Sequence, residues 1–353
     1  MACEGQALRR EQLAHTDGMK RWHLIGSLIV GAYLATGADA FGAETRAAEH
    51  VQAPPSAGQD VTFQSGRVTL YGVLYKPEGP GPFPAVLYNH GSAPGMLNRQ
   101  AFETLGPLFA GRGWVFFGPY RRGQGLSASA GPYIMDSIGA AQAAGVRRVL
   151  PILIALVASL LVVILIVTRR RQIWVRACAG FVVLLIGTLL FYLASLHMRA
   201  SATVRLLEGD QLSDHMAAFE WLRRQSFVQP GRAATMGNSF GGIITVLAAE
   251  RIGYCAAVDA AGGAQSWSPE LRARLVAAVR NSQAPIFFFQ AENDYTLAPT
   301  NILGEAMLEA GKPSVVKIYR PFGTSAEEGH SFAWRGSQTW ADDVFRFLDA
   351  QCR

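Results

Sequence analysis

The residues best suited to chemistry lie in one glycine-rich run, Gly237-Asn238-Ser239-Phe240-Gly241-Gly242. Its G-x-S-x-G spacing, after a short apolar stretch and before a helix-forming one, is that of a nucleophile elbow. The glycines let the chain turn so sharply that the serine stands exposed at the end of a strand. The helix that follows directs its N-terminal dipole and free N–H groups at the reaction centre. A serine hydroxyl is a poor nucleophile until an oriented base takes its proton. His330, in Glu328-Gly329-His330-Ser331-Phe332, is the expected base. The other histidines have other places: His15 and His23 in a leader, His50 in a linker, His197 beside an apolar run, His215 on a helix, and His90 in an early loop that it packs. Asp294, in Gln290-Ala291-Glu292-Asn293-Asp294-Tyr295, is the expected acid, with Glu292 and Asp259 as alternatives. Two N–H donors are needed for the oxyanion, and the backbone N–H groups of Phe240 and Ser92 are the expected pair. This is acyl-transfer chemistry through a covalent intermediate. It calls for no cofactor, and no Cys/His cluster has zinc-site spacing, so no metal is expected.

Such residues must be held by a scaffold, and the sequence alternates strand and helix patterns. Strands are expected at residues 61–63, 68–75, 83–88, 114–118, 233–236, 255–258, 285–290 and 315–319. Helices are expected at 101–111, 212–225, 240–251, 269–280, 300–310 and 338–350. The fold class is therefore α/β, a doubly wound and mostly parallel sheet, with Ser239, Asp294 and His330 all at C-terminal strand ends.

Two runs interrupt that alternation. Residues 149–168 (VLPILIALVASLLVVILIVT) and 177–196 are each 20 residues long and uncharged. As helices each is about 30 Å long, enough to cross the hydrocarbon core of a bilayer. Arg169, Arg170, Arg171 and Gln172 join them, so the spans are expected to form an antiparallel transmembrane hairpin with its arginine turn cytoplasmic. Nearer the N-terminus, Lys20 and Arg21 precede the apolar stretch 24–34 and then Ala38-Asp39-Ala40. That is the design of a signal peptide, with Met19 as the expected initiator and cleavage before Phe41. The leader sends the remainder outward, in agreement with the hairpin. The expected divisions are a leader at 1–40, a linker at 41–60, two parts of one catalytic domain at 61–145 and 200–353, and the hairpin at 146–199.

Composition narrows the function classes. The 353 residues hold 32 Lys+Arg and 26 Asp+Glu, and half are hydrophobic. Four of the excess positive charges are Arg169, Arg170, Arg171 and Arg176 in the hairpin, so no basic face remains for nucleic acid. The expected partners are a small-molecule ester or peptide substrate and the lipid bilayer through residues 149–196. Four cysteines make no disulfide scaffold in a chain this long. Cys255 and Cys352 could pair in an oxidising compartment, but Cys255 lies in an apolar run, YCAAV, that reads as a buried strand where a free thiol is a small core residue.

Six motifs, taken in order, carry a family resemblance: VTLYGVLYKP at 68–77, LYNHGS at 87–92, PYRRGQGLS at 119–127, GNSFGG at 237–242, QAENDY at 290–295 and GHSF at 329–332. Together they resemble the dienelactone hydrolase and prolyl-oligopeptidase-like branch of the α/β-hydrolases. The resemblance implies a serine-type hydrolase of esters, lactones or peptides, with Ser239, Asp294 and His330 as its triad. Dienelactone hydrolases carry cysteine where Ser239 stands, a departure that turns the expectation from lactones toward esters. Arg121 and Arg122 in the third motif are expected to anchor their loop through backbone carbonyls. A small serine peptidase, or a hydrolase fold kept as a non-catalytic membrane-anchored scaffold, are the competing readings.

Overall fold

A computed structural model describes residues 57–92 and 99–353. The signal peptide, its Ala38-Asp39-Ala40 site and nearly all of the linker lie outside the described residues. The eight strands form one sheet in the order β1-β2-β4-β3-β5-β6-β7-β8. They are β1 (Gln59–Ser65), β2 (Val68–Tyr75), β3 (Phe83–Asn89), β4 (Val115–Pro119), β5 (Val228–Asn238), β6 (Ala257–Ala260), β7 (Ile286–Ala291) and β8 (Ser314–Tyr319). β2 pairs antiparallel with β1 and β4, and from β4 through β8 all pairings are parallel.

Side chains alternate between two buried layers with the two-residue period of a strand. Phe287 and Phe289 face one layer, where they pack with α1 (Arg99–Gly111) and α10 (Ser337–Gln351). Ile286 and Phe288 face the other, with α5 (Phe240–Arg251), α6 (Pro269–Arg280) and α7 (Ala298–Glu309). Phe116 and Phe117 divide in the same way: Phe116 joins the first layer, and Phe117 packs beneath α4 (Leu212–Arg223). Fully burying such a side chain contributes about 1.5–3 kcal/mol. A sheet covered on both faces is the outcome.

Two 34-residue helices, α2 (Ile134–Val167) and α3 (Ile173–Leu206), run antiparallel between β4 and α4. Both are long and apolar enough to cross a membrane. Leu156, Val163, Ile166, Leu185 and Leu189 are exposed on their outer faces, a large apolar surface. Small residues let the two backbones approach: a Cβ on Gly187 would stand 3.0 Å from Val157. The helices run unbroken past positions 146 and 199, where the sequence suggests divisions. Ile134 and Ile138 are buried in the domain core, so the hairpin is rooted rather than loosely tethered.

Several boundaries differ from expectation. β1 starts at Gln59, so the end of the linker segment is strand. β6 starts at Ala257 rather than Cys255, which leaves Cys255 in the preceding loop beside the end of α10. There it is disulfide-bonded to Cys352, with the two Cα atoms 5.0 Å apart. The free-thiol reading failed because the apolar run YCAAV is half loop. A cross-link over a 97-residue separation contributes about 4–5 kcal/mol in the chain-entropy picture, and it fastens the last helix to the sheet.

Candidate active site

β3 has β4 on one side and β5 on the other, so the chain order reverses there. Crevices at such points bind ligands in open α/β sheets. Ser239 leaves the end of β5 with φ 56° and ψ −122°, in the left-handed region that side chains avoid. Holding a non-glycine residue there costs on the order of 1–3 kcal/mol and persists only where the surroundings enforce it. The enforcing contacts come from close backbone approach. A Cβ on Gly241 would lie 1.9 Å from the Asn89 carbonyl oxygen, and one on Gly237 would lie 2.3 Å from that of Gly241. No larger residue fits at either position.

Asp294 follows β7 and His330 follows β8, at the end of a short helix, α8 (Ala326–His330). The His330 Nδ1–H donates to Asp294 Oδ1 at 2.9 Å, and the Tyr295 backbone N–H donates to the same oxygen at 2.7 Å. Asp294 is therefore a fixed acceptor that sets the imidazole tautomer and leaves Nε2 to act as a base. That Nε2 is buried and has no hydrogen-bond partner among the described residues. Tyr295 stacks edge-on against the imidazole. The two loops are stapled by Asn293, whose amide donates to the carbonyls of Phe322 and Ser325 at 3.0 and 2.8 Å and accepts from the Phe322 N–H at 2.9 Å.

The two alternative acids lie elsewhere in the fold. Glu292 is exposed. Asp259 is inside β6 and buried, and its Oδ1 accepts from the Gly262 N–H at 3.0 Å. Burial pushes the Asp259 carboxyl up to about 7. The folded state therefore holds a proton between pH about 4 and about 7 that the unfolded chain has released. Stability contributed by this group is present at low pH and is lost as pH rises through that window. Urea unfolding at pH 5 and pH 8 is expected to show a stability drop that Asp259→Asn shrinks by on the order of a few kcal/mol. An unchanged drop in the variant would contradict this assignment.

The loop after β3 is built from buried polar contacts. Asn238 Oδ1 accepts from the Gly91 N–H at 3.0 Å and from the Tyr88 hydroxyl at 2.8 Å. The Arg121 guanidinium donates to the Gly91 carbonyl at 2.6 Å, as does His90 Nδ1–H at 2.7 Å. His90 Nε2 accepts from the Arg121 backbone N–H at 3.2 Å, and burial holds its pKa well below the usual histidine range. His90 is a loop-packing residue. Burial lowers Arg121 to about 10, still a cation at neutral pH, and it anchors a carbonyl as expected. Arg122 differs, since it forms a two-bond ion pair with Asp214 at 2.6 and 2.7 Å rather than binding carbonyls. His215 lies beneath the elbow, donating to Asn89 Oδ1 at 2.7 Å and accepting from the Tyr254 hydroxyl at 2.6 Å. Burial lowers it to about 3, so it stays neutral.

A cavity of about 640 Å³ opens beside Ser92 and Phe240, the two residues expected to supply oxyanion donors. Its volume suits a small-molecule site. The sequence does not single out Asn238, Asn293 and Tyr88 as positioning residues. All three stand inside the six motifs, but their partners lie far away along the chain.

Solved structures share the fold. The chain superposes on the acylaminoacyl peptidase of Pyrococcus horikoshii in two crystal forms, with TM-scores of 0.51 and 0.52 and 15% and 13% identity. The chain has the α/β-hydrolase fold. The alignments cover 84% of it and 41% and 42% of those structures, so the chain spans about two-fifths of their length. Porphyromonas gingivalis dipeptidyl peptidase 4 is also similar, at 15% identity and a TM-score of 0.49 over 83% of this chain and 35% of that one. The Dienelactone hydrolase family matches residues 188–344, a stretch that includes Ser239, Asp294 and His330. β1 through β4 precede the two long helices and lie outside the match. No curated protein matches the sequence.

Proposed function

We propose that the chain is a membrane-tethered serine hydrolase of carboxylic esters, with Ser239 as nucleophile, His330 as general base and Asp294 as its orienting acid. The observation that carries this reading is the strained Ser239 at the head of α5, on the same sheet edge as a buried Asp294–His330 pair with a bare Nε2. In the reaction, Ser239 Oγ attacks the ester carbonyl as His330 Nε2 takes its proton. The N–H groups of Phe240 and Ser92 receive the oxyanion. The imidazolium, held by Asp294, then protonates the departing alkoxide, and water releases the acid from Ser239 by the same steps in reverse.

The mostly apolar cavity favours an ester with a hydrophobic acyl group over a charged peptide. Peptide hydrolysis is the second reading, supported by the acylaminoacyl peptidase likeness in fold. Fluorophosphonate labelling followed by p-nitrophenyl esters and aminoacyl p-nitroanilides separates the two. Ester turnover that requires Ser239 is the expected result. Exclusive amide turnover would favour the peptidase, and absence of labelling would favour a scaffold.

The tether is the pair α2 and α3, with the arginine turn cytoplasmic and the catalytic domain outside. The Cys255–Cys352 disulfide suits an oxidising compartment. We assign the mature N-terminus to Phe41, which sequencing of the purified protein tests. Replacing residues 149–196 with a short Gly/Ser linker is expected to move the protein from the membrane fraction to the soluble one. Retention in washed membranes would defeat the tether.

A further inference from the structure

The cavity beside the oxyanion donors has a second wall of a different kind. Leu193, Leu196, Ala200 and Thr203 line it from α3, spaced so that one face of the helix meets the cavity. Met135 of α2 and Trp267 from the loop before α6 complete its apolar lining. The same helix, over its preceding turns, exposes Leu185, Leu189 and Leu190 on the hairpin surface. One continuous helix thus passes from the apolar hairpin surface to the cavity that Ser92 and Phe240 also line. Its polar lining includes Gln265, Ser266 and Ser268 and, on α3, His197, whose Nδ1 meets Glu270 Oε1 at 2.5 Å, and Arg199. Their heights on α3 are those at which a lipid headgroup would sit if the apolar stretch fills the bilayer.

From this continuity we infer that the cavity is an acyl-chain site and that the substrate is a long-chain acyl ester resident in the bilayer. The inference rests on the serine-esterase reading and gives it a substrate class. The chain passes from lipid along α3 into the cavity, so its hydrocarbon never crosses water. The carbonyl then lies at the Phe240 and Ser92 end. The bond from Ser239 Oγ to the acyl carbon forms as the bond to the alkoxy oxygen breaks. The serine proton leaves on the alcohol through His330, and water then splits the acyl-enzyme to a fatty acid.

The test uses the full chain in phosphatidylcholine vesicles, with p-nitrophenyl palmitate and p-nitrophenyl acetate as probes. Ala200→Trp fills the cavity, and Met135→Trp fills it from α2 as an independent variant. Each is scored on protein that fluorophosphonate labels fully. Both are expected to lower the palmitate-to-acetate ratio of kcat/KM by about tenfold or more. Leu156→Trp, on the outward face of α2, should leave that ratio as in the parent. If Ser239-dependent acetate turnover is present and the ratio is unmoved by both cavity variants, the acyl-chain site is wrong and the esterase reading stands. Absence of Ser239-dependent turnover of either ester would overturn the esterase reading and this inference together.

Discussion

Ser239→Ala is expected to lower kcat for ester hydrolysis by about 10⁴–10⁶-fold, the largest effect of any single change in this chain. The magnitude follows from the unit character of the site. Without Oγ there is no acyl-enzyme, so His330, Asp294 and the oxyanion donors have only a bound water to act upon. Alanine keeps a Cβ in the same left-handed backbone position, and the contacts of Gly237 and Gly241 that enforce the turn are untouched. The thermal midpoint should therefore stay close to that of the parent. The measurement is initial rates with p-nitrophenyl acetate together with fluorophosphonate labelling, which should vanish. Parent-like turnover in a folded variant would remove Ser239 from the mechanism.

Asp294→Asn should cost about 10⁴-fold in kcat while leaving the geometry in place. The carboxylate Oδ1 accepts two hydrogen bonds, from Tyr295 N–H and from His330 Nδ1–H. An asparagine whose oxygen takes the place of Oδ1 keeps both hydrogen bonds but carries no charge to stabilise the imidazolium, so proton transfer from serine becomes far more costly. Asp259→Asn is the matched control, because that carboxyl is bonded to Gly262 and not to His330. Its turnover should stay within about threefold of the parent. If the order of the two losses were reversed, the acid would belong at position 259.

The elbow could be read from sequence because its demands are local. Gly237 and Gly241 are glycine for want of space, and both stand within two residues of Ser239, so a short motif records the turn. The hairpin was equally open to reading, since two uncharged runs of bilayer length carry their meaning in composition alone. The positioning contacts were not. Asn293 works by holding the carbonyls of Phe322 and Ser325, and Asn238 by holding Gly91, 147 residues away. Such partners are set by tertiary packing, which leaves no periodic trace. The strand at Ala257–Ala260 was missed by two residues for a related reason. Cys255 and Ala256 are apolar because a disulfide and the core claim them, and hydrophobicity alone cannot separate that from strand membership. The cavity wall supplied by α3 was hidden too, since both apolar runs read as lipid-facing throughout.

The position of the hairpin also bears on how the sheet is assembled during synthesis. β3 is an interior strand, yet its partner on one side, β5, is encoded after both long helices, and Asn89 and Thr235, which bond across the pair, are 146 residues apart. A ribosome therefore delivers β1 through β4 well before the strand that covers the bare edge of β3. Closing so long a separation is entropically slow, and an uncovered edge invites pairing with another chain. Once the two apolar helices pack side by side, they bring the ends of that long connection together, and the search for β5 becomes a local one. A chain stalled before the helices pair would present an aggregation-prone half sheet to its surroundings.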